Sequence, residues 1–372
     1  MENLVLYRKY RPKTFAEVVG QDHVVRTLTN ALALGKVAHA YLFCGPRGTG
    51  KTTVARLLAK SVNCESRKGS EPCNKCAACV EINESRAMDL VEIDAASNRG
   101  IDEIRELRDG VRFSPSRLKY KVFIIDEAHM LTREAFNALL KTLEEPPSHA
   151  IFILATTEIH KVPATITSRC QRFDFHKLTL EKITARLAQI AEKENVKVER
   201  AALELIAQNA DGAARDAESL LGQVMALQDN EITLVEAQTI LGVADAAIVN
   251  EMVNNLIVKD IAASLGLINR IISDGLDPGQ FTKALISYLR KMMILINFRT
   301  QEAELKKMRV LVAPELTEEQ FKIILEQGQK FSSTDYINLL RLLARADFEI
   351  KSAILPQLPL ELAVVEWVGN SN

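Results

Sequence analysis

The chain has 372 residues, 47% of them hydrophobic and 26% charged, with a formal net charge of −1. That length calls for two or three domains with ample apolar residues for packed cores, and the balanced charge excludes a whole-chain field drawing in nucleic acid, so any such partner must meet a local basic surface. Arg8, Lys9 and Arg11 break up the start where a secretory signal would need an apolar stretch, and the most apolar run, Met292 to Ile296, is far too short to span a bilayer, so a cytoplasmic location is expected.

In chain order, the first strong signal is His39 to Cys44, an apolar run that predicts a buried strand. It leads into Gly45-Pro46-Arg47-Gly48-Thr49-Gly50-Lys51-Thr52, and Thr53 to Ala59 then reads as a helix with Val54, Leu57 and Leu58 on its apolar face. The central run fits G-x-x-x-x-G-K-[ST] between a strand and a helix, the setting that this phosphate-cradling loop requires. Its glycines let backbone N–H groups surround a β-phosphate, the Lys51 ammonium meets β- and γ-phosphate oxygens, and the Thr52 hydroxyl suits Mg²⁺ at a helix N-terminus. A nucleoside triphosphate site is therefore expected over residues 45–53.

Cys64, Cys73, Cys76 and Cys79 come next, spaced C-x₈-C-x₂-C-x₂-C. Close C-x₂-C steps suit tetrahedral thiolate ligation of Zn²⁺, and four protein ligands make a closed site that staples residues 64–79 into a small module without catalysis. Disulfides do not suit a reducing compartment. An iron–sulfur cluster is the rival, because C-x₂-C-x₂-C belongs to a ferredoxin run, although that run's next cysteine and proline are missing downstream. On this reading, replacing Cys76 loosens the module and leaves nucleotide contacts intact. Cys44 and Cys170 stand apart and read as small buried hydrophobes.

Leu90 to Ile93 predicts another strand. Ser97-Asn98-Arg99-Gly100 then opens a helix with Ile104, Leu107 and Val111 on its buried stripe and Arg105, Arg108 and Arg112 beside it; Asp109 in that flank leaves a solvated face and a phosphate-binding stripe both open. Val122-Phe123-Ile124-Ile125-Asp126-Glu127 is a strand ending in two carboxylates, a Walker B pattern. Asp126 suits Mg²⁺ and Glu127 suits the attacking water, since neighbouring side chains at a strand end point apart. Thr132 reads as the N-cap of a helix with the stripe Phe136, Leu139, Leu140 and Leu143, stopped by Pro146-Pro147. Ile151 to Leu154 and Arg172 to Phe175 complete five strands alternating with helices, which predicts an α/β layer on a mainly parallel sheet. After Leu178 no strand is expected. Residues 179–242 read as a small helical domain with a turn at Asn209-Ala210-Asp211-Gly212, and 243–368 as a larger helical region before a short tail, 369–372. Phe281, Leu285, Tyr288, Leu289 and Met292 form one stripe there, suited to a core or a subunit interface.

Taken together, the phosphate loop, the Walker B strand, Leu154-Ala155-Thr156-Thr157 and Thr167-Ser168-Arg169-Cys170 resemble the AAA+ ATPases of the clamp-loader type. The cysteine module narrows the resemblance to the gamma/tau family of bacterial DNA polymerase III, over nearly the whole length and most densely from Tyr7 to Arg215. The resemblance implies an AAA+ domain over 1–178, a helical lid over 179–242 and an oligomerising helical collar over 243–368. It implies that Tyr7, Arg8, Tyr10, Arg11, Pro12, Val18 and Val19 wrap the adenine end of ATP. Thr157 would be the sensor-1 residue that helps orient water, where the residue alone reads as an ordinary strand-end cap. Arg169 would be an arginine finger acting in trans on a neighbouring subunit, with a plain surface arginine as the alternative. Arg215, in Gly212-Ala213-Ala214-Arg215-Asp216, would be sensor 2, with a solvated ion pair to Asp211 or Asp216 as its alternative. Arg99 and Arg105 would face the DNA backbone.

The implied function is ATP-driven loading of a ring-shaped sliding clamp onto primer-template DNA. The chain would act in a hetero-oligomeric ring of clamp-loader subunits that includes copies of itself, using ATP, Mg²⁺ and structural Zn²⁺, and with no membrane partner. The family's longer form continues, beyond the point corresponding to Asn372, into domains that bind polymerase and helicase. Two other readings are a branch-migration or initiator motor, disfavoured by the cysteine module and long collar, and a non-catalytic scaffold subunit, disfavoured by the presence of Lys51, Thr52, Asp126 and Glu127.

Overall fold

The computed structural model describes residues 5–98, 100–226, 231–241, 246–298, 302–313 and 318–369. Two compact units divide the chain, Met1–Leu234 and Val235–Asn372.

The first unit opens with α1 (Leu6–Lys9), a single 3₁₀ turn (Phe15–Glu17) and α2 (Asp22–Ala33). Strands and helices then alternate. β1 (Ala40–Cys44), α3 (Lys51–Asn63) and α4 (Ala77–Asn83) are followed by β2 (Leu90–Asp94) and α5 (Ile101–Val111). Next come β3 (Lys121–Asp126), α6 (Arg133–Glu144), β4 (Ala150–Thr156), α7 (Ala164–Thr167) and β5 (Gln171–Asp174). All five expected strands form, and every pairing between them is parallel, in the order β2-β3-β4-β1-β5.

β1, β3 and β4 are apolar at nearly every position because both faces of the sheet are covered. Alternate residues go to opposite cores. Tyr41, Phe43, Ile124 and Ile153 pack with Leu28, Leu57 and Leu58 of α2 and α3, while Leu42, Phe123, Phe152 and Leu154 pack with Leu107, Leu139 and Leu143 of α5 and α6. Each such buried Leu or Ile contributes about 1.5–3 kcal/mol. Thr132 caps α6 as expected, its hydroxyl accepting from the Ala135 N–H at 3.2 Å, and Leu140 lies half-buried at the edge of the stripe. Since β1 lies beside β4, and β4 beside β3, the segments after these three strands share one edge of the sheet. Ligands of open parallel sheets bind at that carboxyl edge.

The same unit continues with α8 (Leu180–Lys193), β6 (Lys197–Val198), α9 (Arg200–Asn209), α10 (Ala214–Met225) and β7 (Glu231–Ile232). The expectation that strands end at Leu178 is corrected here, because β6 and β7 pair in parallel. Two-residue strands are too short for any period to show in sequence. The turn at 209–212 is present, with Asp211 and Gly212 at φ 47° and 83°.

α11 (Leu234–Leu241) straddles the division between the units. The second unit holds α12 (Ala246–Val258), α13 (Ile261–Ser273), α14 (Pro278–Asn297), α15 (Glu302–Val312), α16 (Glu318–Gly328), α17 (Ser333–Ile350) and α18 (Leu358–Gly369). Phe281, Leu285, Leu289 and Met292 of α14 are buried in one core with Leu339, Leu343 and Trp367. Tyr288 is half-buried instead, its hydroxyl donating to Gln327 Oε1 at 2.5 Å. Among the described residues, no helix is long and apolar enough to cross a membrane.

Candidate functional site

The loop after β1 turns back on itself before α3. Cys44 closes the strand by accepting from the Phe175 N–H at 2.6 Å, and the Gly45 N–H donates to Thr156 O at 3.1 Å, so the loop is pinned to both neighbouring strands. A Cβ at Gly45 would strike the Phe175 carbonyl. Gly48 has φ +75°, and a Cβ there would lie 2.8 Å from the Ala213 side chain, where α10 begins. The Arg215 N–H donates to Gly48 O at 3.4 Å, so the phosphate loop and the helices after β5 meet at this point.

Lys51, the first residue of α3, is buried, and burial lowers its ammonium pKa. Its Nζ donates to Gly45 O at 2.7 Å and Pro46 O at 2.8 Å. The Thr52 hydroxyl donates to Asp126 Oδ2 at 2.7 Å, which brings the two expected Mg²⁺ ligands together although they are 74 residues apart. Glu127 sits at φ 47° and ψ 44°, a left-handed conformation that costs a side-chain-bearing residue roughly 1–2 kcal/mol. That twist aims its carboxylate away from Asp126 and toward the end of β4. There the Thr157 hydroxyl donates to Glu127 Oε2 at 3.0 Å.

Sequence reasoning missed His129, which lies behind Glu127. Its Nδ1 is 3.4 Å from Glu127 Oε2 and 3.1 Å from the Thr156 hydroxyl, while Nε2 is 3.8 Å from Glu158 Oε2. Glu158 also pairs with Lys161. The expected base is thus bounded by a hydroxyl and an imidazole, both supplied within a few residues of strand ends.

One pocket unites the loop with the N-terminal segment and α8 and α10. Residues 47–53, Asp126 and Glu127 line it together with Tyr7, Arg11, Pro12, Val18 and Val19. Four expected nucleotide residues do not line it: Gly45 and Pro46, whose carbonyls are turned to Lys51, and Arg8 and Tyr10. The Tyr10 ring is held instead between Lys9 and Lys193, whose Nζ atoms are 5.5 and 5.8 Å from its centroid, and Arg8 lies 6.0 Å from the Tyr7 ring. The Arg215 guanidinium stacks 4.7 Å from the Tyr7 ring centroid, and its hydrogen bond leads in lowering the Tyr7 phenol pKa. Asp211, one proposed ion-pair partner of Arg215, is instead paired with Lys177 at 2.6 Å.

Glu17, Leu178, Ala214 and the pair Arg186 and Glu218 also line the pocket. Arg186 Nε donates to Glu218 Oε1 at 3.0 Å, both side chains are nearly buried, and Arg186 also donates to Tyr10 O. Burial pushes the Glu218 carboxyl pKa up and the Arg11 guanidinium pKa down. Gln21 is fully buried under the loop, its Nε2 donating to His176 O at 2.7 Å and Thr49 O at 3.4 Å, and its Oε1 accepting from the His176 N–H at 3.1 Å. No local pattern marks such groups, because their partners lie up to 176 residues away.

Arg169, just beyond α7, lies outside this pocket. Nε donates to Glu144 Oε1 at 2.9 Å and a terminal nitrogen donates to Thr165 O at 2.7 Å. Arg99 lies outside the described residues, as does the Arg105 side chain; Arg108, on the same helix, pairs with Asp109 at 3.0 Å.

The four cysteines converge, with all four sulfurs within 4.8 Å of one another. Cys73 Sγ is 3.9 Å from Cys79 Sγ and Cys76 Sγ 4.0 Å from Cys64 Sγ. Zn–S bonds of about 2.3 Å in a tetrahedron give S···S edges of about 3.8 Å, so the set fits one ion. Backbone N–H groups of Lys75 and Cys76 donate to Cys73 Sγ and lower that thiol to about 6, favouring a thiolate, whereas burial raises Cys64 and Cys79. Metal analysis of the reduced chain should find one zinc and no iron per chain; stoichiometric iron would overturn the single-ion reading. Burial pushes the Cys44 and Cys170 thiols up to about 11 and about 12. Cys44 is buried as expected, but Cys170 is only half-buried, since it sits in a turn after α7.

Three family models match in succession: DNA polymerase III, delta subunit, over residues 20–179; DNA polymerase III clamp loader subunit, ATPase lid domain, over 182–230; and DNA polymerase III subunits gamma and tau domain III, over 232–371. The chain is 44% identical over its whole length to DNA polymerase III subunit tau of Bacillus subtilis, and spans 64% of that protein, less than two thirds. It is 38% identical to DNA polymerase III subunit gamma of Buchnera aphidicola subsp. Schizaphis graminum, over 94% of this chain and 100% of that one. Among solved structures, the RuvB Holliday junction branch migration motor of Thermotoga maritima aligns at 20% identity and a TM-score of 0.47, over 67% of this chain and 79% of that one.

Proposed function

Because this chain belongs to the gamma/tau family of DNA polymerase III subunits, we propose that it is an ATP-hydrolysing clamp-loader subunit, working in the cytoplasm to place a ring-shaped sliding clamp on primed DNA. The observation that carries this is the contact of Thr52 with Asp126 at 2.7 Å beside a Glu127 bounded by Thr157. A full set of side chains suited to metal and water argues for turnover over a scaffold role.

In this reading, the loop N–H groups and Lys51 bind the phosphates, Thr52 and Asp126 would hold Mg²⁺, and Glu127 orients and deprotonates the attacking water while Thr157 fixes it. Mg²⁺, when bound, would neutralise charge on the triphosphate. The N-terminal segment holds the base, and Arg215 links the lid to the nucleotide. Arg169 acts in trans, which its position outside its own pocket supports. Zn²⁺ on Cys64, Cys73, Cys76 and Cys79 is structural. The division into 1–178, 179–242 and 243–368 assigns nucleotide chemistry, lid and collar, and the partners are other clamp-loader subunits, copies of this chain, the clamp and primer-template DNA.

The test is ATP hydrolysis by the reconstituted assembly with and without clamp and primed DNA; both should stimulate it. Glu127→Gln chains should bind ATP with wild-type affinity while hydrolysis falls about 10²–10⁴-fold, the range of general-base contributions. Near wild-type turnover in that variant would remove Glu127 as the base, and an ATPase indifferent to clamp and DNA would sink the clamp-loader reading.

A further inference from the structure

The cysteine module is not the detached staple that its spacing suggests. Its loop carries Glu71, whose two carboxylate oxygens accept from the backbone N–H groups of Phe15 at 2.8 Å and Ala16 at 3.0 Å, across more than fifty residues of sequence. Those N–H groups start the 3₁₀ turn that runs into Glu17, Val18 and Val19, all on the pocket wall. A second tether lies beneath. Lys60 of α3 is buried, and its ammonium donates to Lys13 O at 2.9 Å, to Asn74 Oδ1 at 2.7 Å and to Asn83 Oδ1 at 2.8 Å. Asn74 lies between Cys73 and Cys76, and its own amide donates to Lys13 O at 3.2 Å. Three neutral acceptors use all three ammonium donors.

Residues Lys13 to Val19 contain one short turn and only one fully buried large apolar side chain, Phe15. Phe15 and Val18 anchor the segment in the core beside α2 and α3, while its backbone is held by Glu71, Lys60 and Asn74, and two of these three sit on the loop that the four sulfurs fold. The phosphates belong to the 47–52 part of the lining, so the part formed by Pro12, Val18 and Val19 is left as the wall for the base and sugar. We propose that the metal-folded cysteine module sets the shape of the base-binding wall of the nucleotide pocket, with Glu71 and Lys60 as positioning residues. This rests on the reading of the pocket as an ATP site. It departs from the expectation that loss of Cys76 leaves nucleotide contacts intact.

The test compares two ligands on the zinc-loaded 372-residue chain: ATP, which uses the loop and the base-binding wall, and inorganic tripolyphosphate, which uses only the loop. In Glu71→Ala chains that retain one zinc, ATP should bind about tenfold more weakly, equivalent to about 1.4 kcal/mol, with tripolyphosphate unchanged. Glu71→Gln, which keeps one carbonyl acceptor, should fall between. Stripping zinc from the wild-type chain with a chelator should weaken ATP to a similar degree, and zinc should restore it, so the inference stays testable even where Glu71→Ala does not hold its metal. ATP affinity within twofold of wild type after stripping would overturn the proposal. Equal weakening of both ligands would also overturn it, since that reports general loss of fold. Failure of the wild-type chain to bind either ligand would instead remove the nucleotide-site reading beneath it.

Discussion

An Arg169→Ala chain should bind ATP as the wild type does, while clamp- and DNA-stimulated hydrolysis by its assembly should fall by about 10³-fold or more, the scale of an arginine finger. Arg169 follows a short helix and lies outside the pocket that holds its own Thr52 and Asp126, engaged with Glu144 and the Thr165 carbonyl. An ion pair as exposed as this one is worth about 0–1 kcal/mol, so the guanidinium can leave Glu144 for a neighbour's γ-phosphate at little cost. Mixing tests the geometry directly. Lys51→Ala chains retain Arg169, and Arg169→Ala chains retain an intact loop, so mixed rings should regain some working interfaces where either variant alone has almost none. Stimulated turnover within a few-fold of wild type, or mixed rings that assemble without recovery, would exclude an intersubunit finger.

Lys51→Ala should abolish useful ATP binding. Two charge-assisted hydrogen bonds to phosphate at about 1.5–3 kcal/mol each correspond to about 10²–10⁴ in Kd. The stability of the free chain should change less, because Nζ meets only two carbonyls, of Gly45 and Pro46, in a loop close to solvent. Thermal shift separates the two effects: ATP should raise the wild-type Tm and leave that of the variant unmoved. An ATP-dependent shift of wild-type size in the variant would place the triphosphate elsewhere.

Much of this was legible from local pattern. The strands are dense in β-branched and aromatic residues, the phosphate loop and the Asp126-Glu127 pair follow two of them directly, and the cysteine spacing announces a thiolate site without any fold. What stayed hidden is non-local. The order β2-β3-β4-β1-β5 depends on which crossovers pack, so sequence could place Thr52 at a helix start and Asp126 at a strand end but not show them touching. Buried polar residues were the other blind spot. Gln21, Lys60, Arg186 and Glu218 have the composition of a surface, and only their partners, brought from distant segments, make burial tolerable. His129 is the exception, since it stands two residues beyond Glu127 and its proximity to the Walker B pair was there to be weighed.

Gly48 carries a lesson about the motif itself. In G-x-x-x-x-G-K-[ST] that position is written as free. Here both its positive φ and the closeness of Ala213 deny it a side chain, so part of the restriction comes from the lid. The pattern that identifies the loop thus understates what this protein can accept in it: part of the grammar of the phosphate loop is written some 165 residues downstream, and a loop transplanted from a protein without such a lid could obey every letter of the motif and still not fit.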